Sequence, residues 1–272
     1  MIKKIYSNLI KIIRSVKWNH ETFYIKNKVE KINSIVPLRH SDVALILAPH
    51  SDDEWIGCSQ VFLKKYYKTI VVCNMNMSGG DNEIMHKRRI DEMKKNCDEN
   101  NLIFEDILEE KKENLVKIIK KIKPDAIFSP FFIDWHKEHL KTIDLLYNSL
   151  KESKYNGLIY SYQVSLPLLA KKANCYIPMS KTEFNKKWND FKRIYNSQIK
   201  IPYRRFMFNE IINGKYTGSY ACELFFMLNT TKWINMYESI NKKNISYNKL
   251  YDDINSIRKT RNNLEKIYNE LF

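Results

Sequence analysis

The chain lacks any run of about 18 apolar residues, so it offers no candidate for a membrane-spanning helix. Its five cysteines, Cys58, Cys73, Cys97, Cys175 and Cys222, are odd in number and nowhere form a C-x-x-C pair. This argues against a disulfide framework or a cysteine-rich zinc site and for reduced thiols in a cytosolic protein. There is no Gly/Ser linker, internal repeat or low-complexity tract, and the whole chain holds six glycines. Acidic residues are outnumbered, 31 against 46 lysines and arginines, for a net charge of +15. Nucleic acid, an anionic membrane or a phosphorylated substrate would each account for the excess, and so would lysines spread over solvated faces. RNA-recognition aromatics, zinc-finger spacing and Gly-Arg runs are all missing, so no nucleic-acid partner is expected.

What is present is ordinary globular composition, 44% hydrophobic and 28% charged over 272 residues, enough for a single domain. The start, MIKKIYSNLIKIIRSVKW, has no small-residue cleavage site and is a poor signal peptide. Ile2, Ile5, Leu9, Ile13 and Val16 share one helical face, with Lys3, Lys4, Lys11, Arg14 and Lys17 mostly elsewhere. That pattern suits a helix lying on an anionic membrane through residues 1–18, or one packed on its own domain. From about residue 42 to 228, strand and helix patterns alternate: VALILAP, WIGCSQVFLKKYY, TIVVCNMNM, a polar helix over 84–100, a helix over 113–123, AIFSP, a helix from near His139, GLIYSYQVS, a helical stretch over 180–200 and YACELFFML. This order predicts an α/β fold, a Rossmann-like, mostly parallel sheet with helices on both faces. The expected organisation is an N-terminal helical extension (1–40), a core (41–228) and a C-terminal helical extension (229–272). In the last of these, Leu250, Ile254, Ile257, Leu264, Tyr268 and Leu271 keep a seven-residue repeat, compatible with a coiled coil or with docking on the core. The Lys/Asn-rich stretch 241–249 reads as a loop.

Two short stretches carry chemistry, each at the carboxyl end of an expected strand, where ligands bind in such sheets. In LILAPHSDDEWIGC, His50, Asp52, Asp53 and Glu54 crowd together. Adjacent carboxylates repel unless a positive charge sits among them, and a divalent cation bound by His50 and Asp53 is one answer. An acidic helix start with an incidental histidine is the other. In FIDWHKEHLKT, Asp134, His136 and His139 follow the strand AIFSP. Three of the six histidines in the chain lie in these two stretches. Together they can supply His-Asp-His ligation with a position open for water, the arrangement of a catalytic metal.

PHSDDE and DWHKEH resemble the H-P-D-D-E and H-x-D-H motifs of the LmbE/PIG-L family of zinc-dependent N-deacetylases, such as the GlcNAc-phosphatidylinositol de-N-acetylases. Arg89–Glu92 is similar to the family's R-x-x-E helix, Lys123-Pro-Asp to its P-D strand, Ser197-Gln198 to its S-Q dipeptide and Ala221-Cys-Glu223 to its A-E-x-F strand. The resemblance spans about 41–228. Ser51 replaces a usual Pro, Lys137 a frequent Pro and Glu138 a usual Asp, departures that touch substrate identity more than metal binding. The resemblance implies His50, Asp53 and His139 as ligands of Zn2+, with Fe2+ an alternative, Asp52 as general base and His136, preferably protonated, facing the oxyanion. Asp134, two residues before His136, is expected either to orient that imidazole and raise its pKa or to be an exposed loop carboxylate. Arg89 is expected to bind substrate or to be a solvated helix arginine. The Ser78-Gly79-Gly80 turn offers close backbone approach, and Trp55, Trp135 and Phe132 are sugar-facing or core.

The expected activity is metal-dependent removal of an N-acetyl group from an amino sugar or sugar conjugate, nucleotide-linked or glycolipid substrates included. The alternatives are hydrolysis of a non-sugar N-acyl amide and, behind it, a basic nucleic-acid-binding role. Two histidines and a carboxylate also mark Fe(II) oxygenases, but the doubly wound pattern and the adjacent Asp52 favour hydrolysis. The expected location is cytoplasmic, peripheral at the inner membrane surface if residues 1–18 touch lipid. The oligomeric state is left open.

Overall fold

The computed structural model describes residues 2–78, 80–107, 112–199, 201–243, 245, 247, 249–252 and 255–271, with side chains from Leu9 onward except those at 249 and 252. Gly79 of the expected turn and Ile254 of the heptad pattern lie outside the described residues, as do the side chains of Ile2 and Ile5. In chain order the elements are α1 (Ile2–Lys26), β1 (Val36–Pro37), β2 (Ser41–Ala48), α2 (Asp53–Leu63), β3 (Tyr67–Asn74), α3 (Glu83–Asn100), β4 (Ile103–Asp106), α4 (Lys112–Ile122), β5 (Ala126–Pro130) and α5 (Lys137–Ser153). They continue as β6 (Leu158–Tyr162), β7 (Cys175–Met179), α6 (Lys181–Ile194), α7 (Arg204–Thr217), β8 (Ala221–Asn229), α8 (Thr230–Lys242), α9 (Lys249–Asp252) and α10 (Ile257–Leu271).

The strands make one sheet in the order β1-β7-β8-β6-β5-β2-β3-β4. Every pairing is parallel except those of β8 with β6 and β7. This is the mostly parallel, helix-covered α/β sheet expected from the alternating pattern. Parallel strands buried on both faces need unbroken apolar runs, and β2 buries every residue from Ala44 to Ala48. Alternation splits the core in two. Leu45, Leu47, Val71 and Ile127 face α4, α5, α8 and α10 on one side, whereas Ala44, Ile46, Val72 and Phe128 face α2, α3 and α6 on the other.

The chain leaves β2 toward β3 and β4 on one side and later returns to build β5 and β6 on the other. The gap beyond β2 and β5 is therefore a topological switch point, where doubly wound sheets place their ligands. Both histidine–carboxylate stretches follow these two strands. The helix that leaves β2 packs close to the sheet at Gly57, where an added Cβ would come within 2.1 Å of the Tyr162 ring and 2.8 Å of the Gln163 carbonyl oxygen.

Some boundaries differ from expectation. β3 stops at Asn74, and Met75 and Met77 enter the core from irregular chain. The Lys/Asn-rich stretch begins inside α8, which runs to Lys242. Leu250, Leu264, Tyr268 and Leu271 bury themselves in the main core, so the C-terminal pattern is a docking face and not a free coiled-coil seam.

Candidate metal centre

At the end of β2 the chain reverses tightly: the amide N–H groups of Asp52 and Asp53 both donate to the His50 carbonyl, at 2.9 and 3.2 Å. The turn folds the Asp53 side chain back, so that its Oδ2 accepts from the His50 amide at 2.9 Å. Beyond β5, His139 sits in the first turn of α5 and points at the same spot. Asp53 Oδ2 lies 3.2 Å from His50 Nδ1 and 3.4 Å from His139 Nε2, and the two nitrogens are 3.2 Å apart. All three residues are at least 95% buried.

The other nitrogen of each imidazole meets a carboxylate. His50 Nε2 donates to Glu138 Oε2 at 2.7 Å, and His139 Nδ1 to Asp134 Oδ2 at 2.9 Å. These partners assign the tautomers, leaving His50 Nδ1 and His139 Nε2 with bare lone pairs aimed at the Asp53 oxygen. Three converging acceptors call for a cation. A tetrahedral zinc, at about 2.0–2.1 Å from nitrogen and oxygen donors, requires those donors roughly 3.3–3.4 Å apart, which the triangle matches. Nitrogens of His50, His136 and His139 also approach within 4.8 Å of one another. The set with Asp53 is tighter and brings an anion to a dication, so it is the better fit.

With protons as the only cations, the electrostatics point the same way. Burial depresses the His139 pKa, but Asp134 and Asp53 outweigh it and raise it to about 10. For Asp53, burial acts upward, yet the facing His139 and His50 hold the carboxyl well below the usual range. A metal at this spot must displace protons, as metal sites built from imidazole and carboxylate do.

Asp52 takes a different direction from Asp53. Its Oδ1 accepts from the Arg89 guanidinium at 3.1 Å, and the same guanidinium reaches Asp81 at 2.9 Å. Burial raises the Asp52 pKa and Arg89 opposes it. Arg89 is neither solvated nor on a free wall; two carboxylates occupy it. Asp134 is 2% exposed, so it is no surface carboxylate. Nor does it grip the His136 ring as expected. Its Oδ2 takes the His139 ring and the Ser165 amide, while its Oδ1 takes only the His136 backbone N–H. The reason is position: residue 136 immediately precedes α5, and its ring stacks on the His139 ring, centroids 4.6 Å apart, while its backbone N–H faces Asp134. The His136 pKa is not raised either. Burial, with His139 and His50 beside it, pulls it down to about 4, so the ring is neutral rather than protonated at pH 7. Its buried Nδ1 has no hydrogen-bond partner among the described residues.

Glu138 is the residue that sequence reasoning passed over, noted only as a departure from Asp. Its spacing, one position before His139, was the available signal. Among the flanking aromatics, Trp55 and Phe132 are core, at 1% and 3% exposure. Trp135 is half-buried and lines a cleft of about 550 Å³ with Asp134, Lys137, Tyr237 and Tyr247. The weaker motifs also find partners: Glu92 accepts from the Ser197 amide and hydroxyl, and Glu223 from Ser59, Gln60 and Lys187.

No protein-family model and no curated protein matches the chain. Solved structures do. The N,N'-diacetylchitobiose deacetylase of Pyrococcus horikoshii aligns over 69% of this chain and 84% of its own, with 19% identity and a TM-score of 0.54. The A40926 pseudoaglycone deacetylase Dbv21 aligns over 70% and 98%, with 11% identity and a TM-score of 0.50. A hydratase, the 4-carboxy-2-hydroxymuconate hydratase GalB of Pseudomonas putida KT2440, aligns over 70% and 96%, with 9% identity and a TM-score of 0.51. At such identities the likeness is one of fold, and the chain has the fold of these deacetylases, the one that the LmbE/PIG-L resemblance implies.

Proposed function

We propose that the protein is a metal-dependent hydrolase that removes the acetyl group from an N-acetylated amino sugar or sugar conjugate. The observation that carries this reading is the triangle of His50 Nδ1, Asp53 Oδ2 and His139 Nε2, with Asp52 buried beside it. In this reading the three side chains hold Zn2+, with Fe2+ the alternative. When bound, the ion supplies water that ionises near neutral pH and polarises an acyl oxygen.

The chain's own groups do the rest. Asp52 accepts the proton of the water that attacks the acetamide carbonyl. Burial raises its pKa, Arg89 opposes that rise, and the 3.1 Å contact with the guanidinium aims the carboxylate. His136 donates an N–H to the carbonyl oxygen as negative charge develops there. Being neutral, it acts as a hydrogen-bond donor and has no proton to spare. Collapse of the tetrahedral adduct breaks the C–N bond, and Asp52 returns its proton to the departing amine. Asp134 and Glu138 fix the imidazoles of His139 and His50. The deacetylase neighbours named for diacetylchitobiose and a glycopeptide pseudoaglycone support a small-molecule sugar substrate.

The test is amine release over N-acetylated sugars, sugar nucleotides, glycolipids and non-sugar N-acyl amides, before and after chelation. Release from an acetamido sugar that chelation abolishes is expected; release untouched by complete metal removal would end the proposal. Because a hydratase shares the fold, the amine itself must be the measured product. Asp52→Asn should retain metal and lose turnover by roughly 10²–10⁴. Normal turnover in that variant would place the base elsewhere.

A further inference from the structure

We infer that α1 docks the protein on an anionic lipid surface through the face it turns away from the domain. The helix is anchored on one side only. Trp18 and Thr22 are 4% exposed, Trp18 Nε1 donates to the Asn255 carbonyl at 3.1 Å, and Trp18 packs with Ile212 and Ile257 alongside Ile25. Leu9, Ile12, Ile13, Val16 and Phe23 recur at helical spacing on the opposite side, each between 51% and 68% exposed. Single exposed apolar side chains are ordinary, but a contiguous row is not. Apart from Tyr24, also on α1, the other exposed large hydrophobics among the described residues, such as Ile84, Ile103, Leu158 and Ile199, are spread over the rest of the chain. The apolar stripe expected from the sequence is thus the one left outside, while Trp18, Thr22 and Ile25 make the contact with the domain.

Charge selects the occupant. From Leu9 to His20 there is no acidic residue; Lys11, Arg14 and Lys17 are all exposed, Lys17 beside the apolar row and Lys11 and Arg14 on the side of the helix that carries Trp18. A second copy would bring the same cationic helix, and a net charge of +15, against it. An anionic bilayer offers an acyl boundary for the apolar row, phosphates for the adjacent Lys17 and a surface potential that attracts the whole acid-free, cationic segment. The docking would also orient the site. Ser15 Oγ accepts from Arg204 at 2.9 Å, and the next residue, Arg205, donates to the Ser165 carbonyl, whose own amide holds Asp134. The middle of α1 is therefore linked through a short chain of contacts to the wall of the metal centre.

The experiment is co-sedimentation of the full chain with phosphatidylcholine vesicles, with and without phosphatidylserine. Binding should favour the anionic vesicles by about tenfold or more and weaken as salt is added. Ile13→Glu combined with Val16→Glu should cut binding by a similar factor while leaving the thermal midpoint and far-ultraviolet spectrum unchanged, since both side chains are exposed. Lys11→Glu with Lys17→Glu should remove the preference for anionic lipid. Failure of the full chain to pellet with anionic vesicles overturns the proposal. So does equal binding by the Ile13/Val16 variant, or a self-association in sedimentation velocity that this variant abolishes without any vesicle binding. None of these readouts depends on catalysis, so loss of the deacetylase reading would leave the result standing.

Discussion

Adjacent aspartates divide the labour of the site because the turn after β2 points them apart. Asp53 Oδ2 meets two imidazole nitrogens, whereas Asp52 meets a guanidinium. In the mechanism we propose, Arg89 is a positioning residue that acts through Asp52. Arg89→Met removes a positive charge that holds the Asp52 pKa down, so that pKa must rise. The acid limb of kcat/KM should then move to higher pH, since the base stays protonated longer as pH rises; a pH–rate profile measures it, and an unmoved limb would separate Asp52 from the base. Asp134→Asn keeps the size of the side chain but weakens the hold on the His139 tautomer. Metal affinity should fall about 10–100-fold, read by competition with a chelating dye. His50, Asp52, Asp53, His136 and His139 were legible as a group because few other histidines compete for notice. The direction of Asp134 was not, since a residue two before one histidine and five before another can serve either.

The helix that starts at Asp53 directly after Asp52, α2, is tied to its neighbours by a buried network. Lys187 of α6 is wholly buried and reaches Glu210 of α7, Glu223 of β8 and the Ile56 carbonyl of α2. Glu223 also accepts from Ser59 and the Gln60 amide in α2. One cation thus ties four elements together under the metal centre. Lys187→Ala would leave two buried carboxylates without a countercharge, at a cost of about 3–5 kcal/mol. Chemical denaturation should show that loss, and a smaller effect would mean that water enters the gap. Other elements resisted reading. CYIPM did not look like a strand because proline lacks an N–H. In β7 the carbonyls of Asn174 and Tyr176 face β1. Pro178 falls on the same side just where β1 has ended, so no donor is missed. β4 is short and lies at the sheet edge, with too few apolar residues to show a period.

At the scale of the whole molecule, the site joins two halves of the sheet that are made far apart in sequence. A ligand bridging them stabilises the folded chain by mass action. Zinc at about 100 times its dissociation constant should add roughly 2.7 kcal/mol. Differential scanning calorimetry of metal-free protein with and without zinc would show the rise in melting temperature. No rise, with metal bound stoichiometrically, would place the ion somewhere other than between β2 and β5. The basic surface is distributed over many separate ion pairs, such as Lys68–Asp42 and Lys171–Glu265, most of them exposed and each worth little.

The sequence by itself determined the α/β alternation, since apolar runs and helical spacing are local properties that each segment carries alone. It also determined the kinds of ligand atom available, because histidine and aspartate at a strand end have few other uses. Only the tertiary structure decided which nitrogen faces the metal position, which carboxylate stands behind each imidazole, and which side of α1 is covered. Those choices depend on contacts such as His50–Glu138 and Trp18–Asn255, whose partners lie 88 and 237 residues apart. No local pattern encodes such a meeting; it exists once the sheet order has brought β2 beside β5 and the first helix against the last.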